Sequence, residues 1–180
     1  MSKAVMLSIR PKWCEKIASG EKTIEVRKSR PKLHTPFKCY IYCTQPRYPH
    51  EDYIETDYPK PQFYGGGKVI GEFTCERIYE IRKRGIPENF DYCYLSLNEW
   101  GNDDIETEIR AISASCVSKE KLNAYGAKAP LLYGWHISDL RIYDEARELS
   151  EFTGLRNTRF GAAPYDIKRA PQSWCYVEEV

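Results

Sequence analysis

The sequence predicts an α+β fold on a mainly antiparallel sheet or barrel, and three observations lead there. Several short stretches alternate apolar and polar residues at the two-residue period of a strand, as in Lys38 to Thr44. Helical stretches are inserted between them without the strict strand-helix alternation of a parallel fold. No glycine-rich dinucleotide or phosphate-binding loop is present, since Gly65-Gly66-Gly67-Lys68 leads into a strand.

Taken in order, Met6 to Ile9 is a short apolar strand, and Pro11 fixes a backbone angle suited to the first turn of a helix. Trp13 and Ile17 recur at four-residue spacing until Gly20 supplies a left-handed stop. Thr23 to Arg27 alternates, with Ile24 and Val26 on one face and Thr23, Glu25 and Arg27 on the other, so the charged face is expected to point away from the core. In Lys38 to Thr44, Cys39, Ile41 and Cys43 oppose Tyr40, Tyr42 and Thr44. Residues 45–67, rich in proline and tyrosine, read as a long loop or lid. Lys68 to Tyr79 returns to strand character, with Gly71 a bulge or close approach. Residues 100–126 are a helical insertion: Ile105, Ile109, Ile112 and Cys116 suit one helix face, and Ser118 caps a short helix ending at Gly126. These helices are expected to cover one side of the sheet. Trp135 to Tyr143 and Ser173 to Val177 are the last clear strands, separated by a mixed segment with a basic-polar stretch from Arg156 to Arg159. No repeat or second domain interrupts residues 1–180, which are expected to form one domain.

At 180 residues and 21.0 kDa the chain is long enough for one core without metal or disulfide staples. No apolar run approaches the roughly 20 residues of a membrane span, and Met1 to Arg10 lacks the pattern of a secretory signal. A cytoplasmic protein without a membrane partner is the expectation. Seven cysteines, an odd number, then read as reduced thiols, mostly buried. Cys39 and Cys43 lie about 13 Å apart along one strand face, too far for one metal ion, so no metal site and no cofactor is expected. His136, beside Trp135 in a strand, reads as a core histidine. The 27 basic and 26 acidic residues leave a net charge of +1, so attraction to a nucleic-acid backbone has to be local. It is local at Arg10 and Lys12, and again at Lys22, Arg27, Lys28, Arg30 and Lys32.

The motif above this background is Ser8-Ile9-Arg10-Pro11-Lys12-Trp13 followed by Gly20-Glu21-Lys22-Thr23-Ile24-Glu25-Val26-Arg27. It resembles the signature of the ASCH domain family, in which an opening strand and helix lead into Gly-x-Lys-x-x-Glu-x-Arg. Lys68 to Phe73, Tyr133 to Ile137 and Pro171 to Cys175 are similar to later strands of its bacterial and phage-type members. The resemblance implies a PUA-like β-barrel and an association with RNA or another nucleic acid.

Lys22 is a mobile point charge, Arg27 a rigid donor fork and Glu25 an acceptor between them, a set that suits the edges of a nucleobase. In this reading Ser8, Arg10, Lys12, Lys28 and Arg30 approach the ligand, with the cations on phosphate. Glu25 and Arg27 read a modified or unstacked base, and Trp13, Tyr42 or Trp135 stacks on it. In the opposing reading Glu25 and Arg27 pair with each other or with Lys22 and only hold the loop. Two other functions stay open. One is a small hydrolase, an N4-acylcytidine amidohydrolase or a ribonuclease, using Lys22, Glu25 and Thr23 with Glu72 or Glu76 as a partner carboxylate. The acetylcytidine amidohydrolases resemble Lys-Thr-Ile-Thr-Ile-Arg here, and Glu25 stands where their second threonine, the presumed nucleophile, belongs. The other is a protein-interaction domain contacting its partner through the tyrosine-rich loop. The ligand class is RNA, other nucleic acid or a nucleoside-like small molecule.

Overall fold

A computed structural model describes residues 2–45, 53–54, 63–64, 66–84, 91–95 and 113–180. In chain order its elements are β1 (Lys3–Ile9), α1 (Pro11–Ala18), β2 (Ile24–Arg27), β3 (Phe37–Cys43), β4 (Tyr53–Ile54), β5 (Phe63–Tyr64) and β6 (Lys68–Cys75). They continue as β7 (Ile78–Arg84), β8 (Asp91–Leu95), α2 (Lys119–Gly126), β9 (Leu131–His136), β10 (Ser138–Arg147), β11 (Thr153–Thr158), β12 (Gly161–Asp166) and β13 (Trp174–Glu178).

A seven-stranded sheet runs β10-β6-β3-β1-β13-β11-β12, and a four-stranded sheet runs β2-β9-β7-β8. β4 and β5 form a separate two-stranded pair within the stretch read as a loop. Among the described residues the pairing is antiparallel except between β1 and β3. The α+β, mainly antiparallel architecture is therefore as expected, but among the described residues the sheets do not close into a barrel.

Two stretches read as single strands are each two strands. Lys68 to Tyr79 breaks at Glu76 and Arg77, where the chain leaves the seven-stranded sheet as β6 and enters the other as β7. Trp135 to Tyr143 likewise passes from β9 to β10 at Ile137. The two crossings lie side by side, tied by His136 N–H to Arg77 O at 2.9 Å and Ser138 Oγ to Thr74 O at 2.9 Å. Such corners let one chain feed both layers of a packed sheet pair.

The main core fills the space between the sheets with Val5, Leu7 and Ile9 of β1, Ile41 of β3, Phe73 of β6 and Trp135 of β9. Cys14 and Ile17 of α1 close one end of it. Gly20, at φ +78°, ends that helix turn as the sequence indicates. On the outer face of the smaller sheet Ile24, Val26, Ile81 and Leu132 pack under Leu122 of α2. The capped helix thus covers one side of a sheet, with Ser118 Oγ accepting from Lys121 N–H at 3.4 Å. Ile105, Ile109 and Ile112 lie outside the described residues.

Burial pushes the thiols of Cys14 and Cys39 well up and that of Cys75 to about 12, so these core cysteines stay protonated. Gly71 is a close approach: a Cβ there would stand 2.5 Å from Arg141 O of β10. Gly71→Ala has to push β6 and β10 apart, and a loss of about 1–3 kcal/mol in chemical denaturation is expected.

Candidate functional site

Glu25 and Arg27 pair in register with Trp135 and Tyr133 of β9, so all four side chains leave the smaller sheet on the face turned toward the larger one. Ile24 and Val26 take the opposite face, under α2. Both faces of β2 are therefore covered, which corrects the expectation that its charged face points away from the core. Glu25 is 6% exposed, Arg27 7% and Lys22 2%.

Charges so far out of water need close partners, and these three supply one another. Glu25 Oε2 lies 3.3 Å from Lys22 Nζ, and Oε1 lies 3.0 Å from Arg27 Nη2. Lys22 Nζ also donates to Ile24 O and Ser115 O, both at 2.7 Å. With Glu25 these acceptors match the three protons of an ammonium. Arg27 Nη2 donates to Ser8 O at 2.8 Å and Nη1 to Ser173 O at 3.3 Å, so its fork ties β2 to the end of β1 and the start of β13. Thr23 N–H adds a bond to Ala114 O at 2.9 Å, fastening the turn before β2 to the segment leading into α2.

This network is the floor of a cleft of about 620 Å3, inside the roughly 300–1,000 Å3 of small-ligand sites. Ser8, Arg10, Trp13, Lys22, Glu25, Arg27 and Lys28 of the predicted set all line it. Lys121 and Tyr125 of α2 and Gln172 and Ser173 before β13 complete the walls. Among the described residues its lining carries five basic residues, Arg10, Lys22, Arg27, Lys28 and Lys121, against the single carboxylate of Glu25. That is a local charge of +4 in a chain of net +1. Arg10, Lys28 and Lys121 are exposed at the rim.

Two aromatic rings stand in the walls. Lys22 Nζ lies 5.2 Å from the centroid of Trp13, and Lys28 Nζ lies 5.0 Å from that of Tyr125. Burial pushes the Tyr125 hydroxyl up, against the opposing pull of Arg27 and of a backbone hydrogen bond from Lys28, and it stays neutral.

Other predicted residues fall elsewhere. Trp135 is fully buried in the main core, with Phe37 edge-on at 5.7 Å, and no ligand can stack on it without opening the fold. Tyr42 is buried in the cluster on the far face of the larger sheet. Lys12 is not on the cleft lining, though its Nζ lies 5.7 Å from the Trp13 centroid. Arg30 sits over Tyr133, at 5.7 Å. Thr23 does not line the cleft either. Glu72 accepts from Tyr143 Oη at 2.7 Å and faces Lys38 at 3.6 Å in a separate pocket, while Glu76 lies 3.9 Å from His136 Nδ1. Neither carboxylate reaches the cleft. The His136 side chain is one-third exposed and is not a core residue.

Sequence reasoning missed Lys121 and Tyr125. Their four-residue spacing on a capped helix was the available signal, because it sets both on one face beside Leu122. Among the described residues no helix is long and apolar enough to cross a membrane.

The family model of the ASCH domain matches residues 7–147. The fold is similar to a crystal structure of ASCH from Zymomonas mobilis, with a TM-score of 0.57 and 17% identity, covering 98% of this chain and 88% of that one. Crystal structures of two mutants of that protein give TM-scores of 0.52 at 16% identity, covering 98% of this chain and 91% and 89% of theirs. No curated protein matches the sequence. By the match over residues 7–147, which contains Lys22, Glu25 and Arg27, this chain belongs to the ASCH domain family.

Proposed function

We propose that the cleft binds nucleic acid, taking one unstacked nucleobase against Trp13 while the rim cations Arg10, Lys28 and Lys121 hold the flanking phosphates. The observation that carries this reading is the concentration, among the described residues, of five basic residues and two aromatic rings around one carboxylate in a nearly neutral protein. A base offers flat faces and polar edges, and its backbone offers the negative charge that such a rim attracts. Glu25 has spare acceptor capacity beyond its two ion pairs for an exocyclic amine.

Binding is favoured over turnover by the state of the floor. Lys22 is committed to three acceptors, Glu25 is bracketed by two cations, and Thr23 stands off the cleft. A general base or nucleophile has to be free to exchange a proton with substrate, and neither Lys22, with its three acceptors, nor Thr23, off the lining, is placed for it.

The test is fluorescence anisotropy with a labelled 12-nucleotide single-stranded RNA. Affinity is expected to fall steeply between 50 and 200 mM salt, and Lys28→Gln and Lys121→Gln are each expected to flatten the log-log slope by about 0.7. A flat salt response refutes the proposal. Deacetylation of N4-acetylcytidine that disappears in Lys22→Ala would replace it with the hydrolase reading.

A further inference from the structure

Phe160, at the turn between β11 and β12, is 87% exposed, a large aromatic side chain the fold itself does not use. Local chemistry fixes its position. Thr158 Oγ1 donates to Gly161 O at 2.8 Å and accepts from Phe160 N–H at 3.2 Å, and Gly161 at φ +111° supplies the backbone angle that closes the turn. The guanidinium of Arg159 lies 4.6 Å from the Phe160 centroid, Arg156 is exposed on the same hairpin, and residues 156–165 contain no acidic residue. A ring with one guanidinium against it and a second exposed arginine on the same hairpin complements an unstacked base with its phosphates. Addition of a protein strand to β12, the edge of its sheet, is opposed by Pro164 within it.

A line of contacts joins this hairpin to the cleft. Lys3 Nζ donates to Asn157 Oδ1 at 3.3 Å and lies 5.7 Å from the Tyr176 centroid. Tyr176 Oη accepts from Lys32 N–H at 2.7 Å, and its ring packs 5.3 Å from that of Trp174. Trp174 Nε1 donates to Ser29 Oγ at 2.9 Å, and Ser29 lines the cleft. Two lysines therefore lie between the hairpin and the rim, and Glu178, in register with Lys3, adds one carboxylate.

We infer that the hairpin is a second nucleic-acid contact, so that the partner is a single strand of several nucleotides, with one base in the cleft and another stacked on Phe160. This rests on the cleft reading and deepens it, because a free nucleoside would never reach the hairpin.

The full chain is titrated with the labelled 12-nucleotide RNA and, separately, with cytidine 5′-monophosphate. Phe160→Ala is expected to weaken the RNA roughly tenfold and to leave the mononucleotide unchanged. Arg156→Gln with Arg159→Gln is expected to flatten the salt slope for RNA by about 1.4, at about 0.7 per lost phosphate contact. These exposed positions leave the thermal midpoint where it is, which shows that the variants fold. If the hairpin variants bind RNA like the unaltered protein while Lys28→Gln loses affinity, the hairpin contact is wrong and the cleft stands. If the unaltered protein binds neither probe, both fail. Capture by phosphatidylserine vesicles that depends on Phe160, with RNA binding intact in Phe160→Ala, would make the hairpin a membrane contact and overturn the inference.

Discussion

Replacing Glu25 with alanine is expected to destabilise the fold by about 3–5 kcal/mol, the range for breaking a buried ion pair by removing one partner. The loss comes from what is left behind. Lys22 and Arg27 would remain at 2% and 7% exposure with no carboxylate between them. Each is also anchored to backbone carbonyls, Lys22 to Ile24 and Ser115 and Arg27 to Ser8 and Ser173, so neither can swing into solvent without undoing a joint between elements. Glu25→Gln keeps the shape and a carbonyl acceptor, and its loss should be smaller. The control is Glu21→Ala, which removes the Lys16 partner at a site where Glu21 is 59% exposed. That exposed pair is screened by water, and no measurable change is expected. Urea denaturation of the three variants decides the matter, provided the dependence on urea keeps its slope. Equal midpoints for Glu25→Ala and Glu21→Ala would show that the triad holds nothing together.

The opening of the chain was legible because its signals are local. Pro11 and the Trp13–Ile17 spacing define α1, Gly20 stops it, and alternation sets Glu25 and Arg27 on one face of β2. Spacing alone left two roles for Lys22, Glu25 and Arg27, a cleft floor or a set of mutual pairs, and in the fold they are both. Their burial was not legible. Alternation separates two faces of a strand but does not say what lies across from either, and the partners of Arg27 come from Ser8 and Ser173, 19 and 146 residues away. The changes of sheet at Glu76–Arg77 and at Ile137 were hidden for a related reason, since the residues on either side are equally strand-like. The β11–β12 hairpin escaped because glycine, asparagine and proline dilute its pattern. Gly154 is there to admit the ring of Tyr165 across the pair, where a Cβ would meet that ring at 2.3 Å.

Trp13 and Trp135 were equal candidates as a stacking surface, and opposite outcomes are expected from the same substitution in each. Trp135→Ala empties a fully buried site between Phe37 at 5.7 Å and Trp174 at 6.1 Å, and a loss of about 3–5 kcal/mol follows from the lost contacts and the cavity. Its indole N–H has no hydrogen-bond partner among the described residues, so Trp135→Phe sheds a buried unpaired donor while keeping most of the ring, and should be tolerated far better. RNA affinity of the folded Trp135→Phe protein should match that of the parent. Trp13 stands in the cleft wall near the ammonium of Lys22. Trp13→Ala should keep most of the stability and weaken RNA binding by about 1–3 kcal/mol, the contribution of one base on one aromatic ring. Denaturation midpoints paired with anisotropy titrations on the same preparations separate the two effects. Unchanged RNA affinity in Trp13→Ala would remove base stacking from the cleft, and the rim cations would then have to account for binding by charge alone, with a salt slope as steep as before.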